Sequence, residues 1–187
     1  MTISIGQTTY TMFSSLADPG QVVDLAFNEF ESFPAAAVVP PGVAVELAAD
    51  GLSCQPCQQT STTFVPLGIS VQNTAREGQG AVGVTGYGVQ GLSYQVGEMV
   101  RVMMRGRIFA AWQGTTQTAF AYGTSGQPLH VYHSSTGANP QGVFTDAATA
   151  TTAGAEIAAA GSQFRARQAQ PGTGNIIEID VNLPGAV

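Results

Sequence analysis

From residue 42 onward, apolar and polar side chains alternate with a period of two, and turn-forming residues interrupt the alternation every few positions. Val43, Val45 and Leu47 share one parity, with Ala44 and Glu46 on the other; Leu67, Ile69 and Val71 repeat the arrangement around Gly68, Ser70 and Gln72. Successive residues point to opposite faces only in a strand, so both stretches predict half-buried strands. The same reading predicts strands at 80–89, 98–104, 107–112, 117–122, 128–133, 162–169 and 176–182. With 23 Gly and 10 Pro in 187 residues, the chain is rich in turns and poor in material for long helices. The expected fold class is all-β, an antiparallel β-sandwich or barrel.

Two hairpins stand out. In FRARQAQPGTGNIIEIDV, a loop at Pro171–Gly174 sets Gln170 opposite Asn175, Arg167 opposite Glu178 and Arg165 opposite Asp180. The other face then pairs Phe164 with Val181, Ala166 with Ile179 and Gln168 with Ile177. In EMVRVMMRGRIFAAW, a turn at Arg105-Gly106 would set Val100 and Val102 opposite Ala111 and Phe109, with Met99 against Trp112 and Met103 against Ile108. Both faces of this pair are largely apolar, which places it centrally or against another layer.

The first forty residues differ from the β body expected over 41–187. Asp18 and Pro19 read as N-cap and first residue of a short helix carrying Val23, Phe27 and Phe30 at i, i+4, i+7 spacing, while Gly20 favours an extended arm instead. Either way, Val22, Val23, Leu25, Phe27, Phe30 and Phe33 are more apolar surface than a free tail exposes, so the arm is expected to bury them against the body or a neighbour. The Ala- and Thr-rich stretch 146–162 has no clean period and reads as a long loop with at most a short strand or turn.

Charge narrows the function classes. Six arginines, no lysine and twelve carboxylates give a net charge of −6, so nothing draws the chain to nucleic acid or to an anionic membrane. Only 10% of residues are charged, against roughly 25% in an ordinary soluble domain. Such a composition is common in proteins that live packed against other protein. The N-terminal stretch MTISIGQTTYTMF has neither the basic nor the apolar region of a secretory signal, and AAAVVPPGVAVELAA is broken by Pro40, Pro41 and Glu46, so a soluble protein made inside a cell is expected.

Candidate chemistry is thin. Cys54 and Cys57 form a C-x-x-C, but the polar run Gln-Gln-Thr-Ser-Thr-Thr follows in place of the helix that activates a thiol, and the pair reads as part of a loop with two free thiols. A zinc site would need His130 and His133 as well, and positions three apart on a strand point to opposite faces. No G-x-S-x-G elbow, carboxylate couple or phosphate loop is present. Neither an enzyme nor a cofactor site is expected. Arg101, Arg105 and Arg107 gather half of the positive charge within seven residues, suited to carboxylates on a neighbouring subunit, and with Phe27, Phe30 and Phe33 they are the candidate partner-interface residues.

Taken in order, LADPGQVVDLAFNEFESFPAAAVVPPGVAVEL, FVPLGISVQNTAREG, YQVGEMVRVMMRGRIFAAW, GQPLHVYHSSTGANPQGVFT and GSQFRARQAQPGTGNIIEIDV resemble the structural cement (capsid decoration) proteins of tailed bacteriophages. The family pattern runs through a Pro-Gly-x-Ala-Val strand, a Leu-Gly-Ile-x-Val strand, a Gly-Arg-Ile/Val hairpin, a Gly-x-Pro-Val/Leu-x-Val strand and a C-terminal strand pair. Gln127, where the family more often has an acidic residue, and the stretch CQPCQQTSTT depart from it. The resemblance implies a non-enzymatic virion protein, made in the host cytoplasm, on the outer surface of the capsid. It would bridge major capsid protein subunits as a homodimer or homotrimer and stabilise the DNA-filled head, without cofactor, nucleic acid or membrane. The alternative is a glycan- or receptor-binding β-sandwich of a tail or spike, which would need exposed aromatic rings; Trp112, in a hairpin strand, is expected to be buried.

Overall fold

A computed structural model describes residues 18–23, 28–58, 66–72, 93–113, 129–133, 141–145, 157–159, 164–169 and 176–183. Strands expected at 80–89 and 117–122, the loop at Pro171–Gly174 with its Gln170–Asn175 pair, and Phe27 lie outside these residues. Ten strands are described: β1 Glu29–Pro34, β2 Ala44–Leu47, β3 Cys54–Pro56, β4 Pro66–Ser70, β5 Met99–Ala111, β6 His130–Tyr132, β7 Phe144–Thr145, β8 Ile157–Ala159, β9 Phe164–Ala169 and β10 Ile176–Asn182. Every strand pair is antiparallel, and no helix occurs among the described residues. One sheet runs β3-β2-β4-β5-β10-β9 with β1 also on β5; a smaller one runs β7-β6-β8. The fold is all-β, as the alternation requires.

The expected hairpin at Arg105-Gly106 is instead one continuous strand of 13 residues. Glu29 faces Arg105 while Phe30 faces Met103, so Met104 is an extra residue, a β-bulge. A bulge exchanges the two faces. Before it, Val100, Val102 and Met104 point into one core cluster; after it, Ile108, Ala110 and Trp112 point into the other. The strand also bends sharply. Ala111 N–H donates to the Gly42 carbonyl at 2.8 Å, Gly42 N–H donates to the Ser70 carbonyl at 2.8 Å, and Ser70 faces Val102 across the ladder. Those few residues link positions that a straight strand would hold roughly 30 Å apart. Gly106 permits the bend: its φ is +133°, and a Cβ there would collide with the Asn28 side-chain oxygen. An Arg-Gly pair that reads locally as a reversal serves here as a corner.

Because β5 bends, the sheet curls back on itself. Ala35, just beyond β1, makes a parallel bridge to Cys54 in β3, and Ala36 N–H donates to the Cys54 carbonyl at 2.8 Å. The path β1-β5-β4-β2-β3 thereby returns to its start and encloses Ala35, Val39, Val43, Val45, Cys54, Tyr94, Val100, Val102 and Met104. Tyr94 satisfies its buried hydroxyl by donating to the Val71 carbonyl at 2.9 Å. The second cluster lies between the far half of β5, β9–β10 and the small sheet: Ile108, Ala110, Trp112, Leu129, Val131, Phe144, Phe164, Ile177, Ile179 and Val181. Phe144 and Phe164 meet edge to face at 5.5 Å. β2 separates the two clusters, with Ala44 in one and Val45 in the other, so it is buried on both faces and not half-buried.

Residues 18–21 make a turn and not a helix start. Gln21 N–H donates to the Asp18 carbonyl at 3.1 Å, and Gly20 at φ +85° follows Pro19, the type II pattern. The turn docks on β5 through Gly20 N–H to the Phe109 carbonyl (2.6 Å) and Val23 N–H to the Arg107 carbonyl (3.0 Å). It also abuts the Pro40–Val43 turn so closely that a Cβ on Gly42 would lie 2.7 Å from the Gly20 nitrogen. In that second turn the buried Ser70 hydroxyl accepts from Val43 N–H (3.1 Å) and donates to the Pro40 carbonyl (2.7 Å).

At the C-terminus, Phe164 faces Val181, Arg165 faces Asp180 and Ala166 faces Ile179, as the sequence pattern predicts. Beyond them the register slips: Glu178 faces Gln168 and Ile177 faces Ala169, because Arg167 is a bulge residue. The expected Arg167–Glu178 and Gln168–Ile177 pairs do not form. Within the Ala- and Thr-rich stretch, residues 157–159 are β8, paired with β6.

Candidate interaction surface

The expected interface residues go to different places. Along the β1–β5 ladder, Phe30, Ser32 and Pro34 share a face with Met103, Arg101 and Met99, while Phe33 and Val100 share the other. Phe33 accordingly packs on the enclosed cluster, and Phe30 packs on the second one. The Arg101 guanidinium carbon sits 3.8 Å from the centroid of the Phe30 ring, a cation–π contact that covers the ring from outside.

The three arginines each take a different neighbour. Arg107 Nε lies 3.1 Å from Asp180 Oδ1 and 3.5 Å from Glu178 Oε1, so the carboxylates that the sequence assigns to β9 arginines meet one on β5. Glu178 is buried, which makes a charged partner within the chain valuable. Arg105 is exposed at the junction where both β1 and β10 reach β5, facing Glu29 and Asn182.

Cys54 and Cys57 are not in a polar loop. Both are fully buried, neither is in a disulfide, and they belong to different core clusters. The reason is period two: Cys54 is the first residue of β3, facing Leu47, and three positions later the side chain emerges on the opposite side. Burial pushes the Cys54 thiol up to about 11, the reverse of what a redox or metal-binding cysteine needs. His130 and His133 lie on and just past β6. Among the described residues no three His, Cys, Asp or Glu side chains converge as metal ligands would. Glu46, buried on β2, is held as an acceptor: Gln55 Nε2 donates to its Oε1 at 3.2 Å and Gln58 N–H at 2.9 Å. Trp112 is fully buried, so its ring is closed to a sugar.

What the sequence does not reveal is a group of exposed apolar side chains, Val38, Leu47, Leu52, Val96 and Met99, around the seam where Ala35 meets Cys54. No periodic pattern marks them, because three of the five sit in turns or next to them.

The profile of the structural cement protein family (E217 gp24/Pam3 gp6) matches residues 6–182. The chain belongs to this family. A chain from the solved capsid of the Myoviridae phage XM1 has a similar fold, with a TM-score of 0.55 and 17% identity, covering 92% of this chain and 95% of that one. No curated protein matches the sequence. The match runs through both core clusters and through every described strand, so the bent β5, the closing seam and the C-terminal ladder all fall within the span of a cement protein.

Proposed function

We propose that this cement protein binds the outer surface of a phage head, bridges neighbouring major capsid protein subunits as a homodimer or homotrimer, and stabilises the DNA-filled shell. The family match over residues 6–182 carries the reading. The likeness to a chain of the XM1 capsid and the low charge content agree with it. The mechanism needs no covalent chemistry. A protein that binds only the assembled lattice shifts its equilibrium by mass action, and each copy that spans two subunits adds a link that must break before the shell opens.

Add-back tests this. Capsids stripped of the protein should lose resistance to heat, and purified protein should restore both occupancy and heat resistance in proportion. Folded protein that fails to bind stripped capsids at micromolar concentration would overturn the reading.

A further inference from the structure

Among the described residues, the large apolar side chains with the greatest exposure all lie around one seam: Val38 (47% exposed), Leu47 (43%), Leu52 (75%), Val96 (65%) and Met99 (58%). They come from three stretches, 34–39, 47–54 and 95–99, that main-chain bonds fasten side by side. Ala35 N–H donates to the Glu98 carbonyl and Gly97 N–H to the Ala35 carbonyl, each at 2.8 Å; Ala36 N–H donates to the Cys54 carbonyl, also at 2.8 Å. Ala48 N–H reaches the Ser53 carbonyl at 2.8 Å, and Val39 and Tyr94 exchange bonds of 3.0 and 2.9 Å. Single exposed apolar residues are ordinary, but five on one stitched end mark a contact surface.

The patch is held in place. The Asp50 carboxylate accepts from Leu52 N–H and Ser53 N–H at 2.9 Å each, fixing the hairpin that carries Leu52. Glu98 accepts from Gln95 N–H at 2.7 Å, fixing the turn that carries Val96. Beneath them Ala35, Val39, Cys54 and Tyr94 are buried. Turns whose main chain is fixed before contact lose little backbone entropy on binding. The charge beside them is acidic. Asp50 and Glu98 lie within the patch's own turns, and Arg101, two residues from Met99 on the same face, is stacked on Phe30.

We infer that this end is the foot on which the protein stands on the shell, docking into an apolar depression of the capsid protein rimmed by Arg or Lys. The inference rests on the capsid-binding reading above. A second copy is the poorer fit: a two-fold contact through this patch would bring Asp50 and Glu98 toward their own counterparts. An anionic membrane is repelled for the same reason.

Two measurements on the full chain and stripped capsids test it. The double variant L52D/V96D changes only exposed side chains, so its melting temperature should match the wild type while its capsid affinity falls at least tenfold. Peroxide footprinting of wild-type protein gives a second readout. Met99 should oxidise in the free protein and be protected on the capsid, with buried Met103 and Met104 protected in both. If wild-type protein fails to bind, the functional reading falls and the inference with it. If it binds but the variant binds equally, or bound Met99 oxidises as fast as free, only the foot is wrong. Met99 already protected in a free oligomer that L52D/V96D dissociates would make the patch a self-contact, which also overturns the inference.

Discussion

Before Gly106, β5 turns Met99, Arg101 and Arg105 toward solvent and buries Val100, Val102 and Met104; after it, Ile108, Ala110, Ala111 and Trp112 are all buried. The first half is one wall of a closed sheet with an outside, flanked by β1 and β4. The second half buries its Ile108, Ala110 and Trp112 side, with β10 along one edge, the 18–23 turn hydrogen-bonded to it, and the small sheet joined at Trp112. One strand therefore has an exposed face only along its start, and the bulge at Met104 with the bend at Gly106 separates that part from the end.

The sharpest way to break this comparison is to empty each half in turn. Trp112→Ala removes the largest fully buried side chain and should cost about 3–5 kcal/mol of unfolding free energy, measured by urea denaturation. Met99→Ala, on the exposed half, should stay within about 0.5 kcal/mol. Equal effects would mean that stability is spread evenly along β5 and that the division is false.

A smaller effect is expected at the corner itself. Gly106→Ala places a Cβ against the Asn28 side chain at a φ of +133°, a conformation that L-residues rarely adopt. Relief requires Asn28 to move and the strand to straighten, which should cost roughly 2–3 kcal/mol. Since both halves hang on the bend, hydrogen exchange should quicken at Val100 and Val102 as well as at Ile108 and Ala110. Acceleration confined to one half would show that the halves fold independently of the corner.

How much of this was legible in the sequence depended on the reach of each signal. Alternation located β2, β4, β6, β9 and β10, and the pairs Phe164–Val181, Arg165–Asp180 and Ala166–Ile179 followed from counting back from a loop. Counting fails at Arg167 because a bulge inserts one residue without leaving a local mark, whereas at Arg105-Gly106 a turn-forming pair marks a bend within one strand and not a reversal. The polar run after Cys57 makes β3 read as part of a loop; Gln58 is exposed, but its main-chain N–H and the Gln55 side chain both donate to the buried Glu46. The interface expectation singled out aromatic rings and arginines by type, and the fold has its own uses for several of them: Phe33 in the enclosed core, Phe30 beneath Arg101, Arg107 beside Asp180. The apolar foot depends on the Ala35–Cys54 bridge, a contact between residues far apart in the chain that no window of sequence contains.

The pH dependence set by Cys54 tests whether the first half is truly closed. Its thiol is held up at about 11 by burial alone, since the backbone hydrogen bond acts in the opposite sense. In the unfolded chain the same thiol ionises near pH 8.5. Below that pH both states keep the proton and stability is unaffected; as pH rises toward 11 the unfolded state loses it first, so stability falls, by roughly 3 kcal/mol at most. Tyr94, also raised by burial in the same cluster, adds a loss in the same direction at higher pH. Cys54→Ala separates them. The variant should start less stable than wild type at pH 8, and the gap should narrow as the pH approaches 10.5, read from urea midpoints. A gap that stays constant would place water at Cys54 and the seam at Ala35 would be open. An open seam would loosen the stretches that carry Val38, Leu52 and Val96, and with them the foot, whose affinity depends on being rigid before contact.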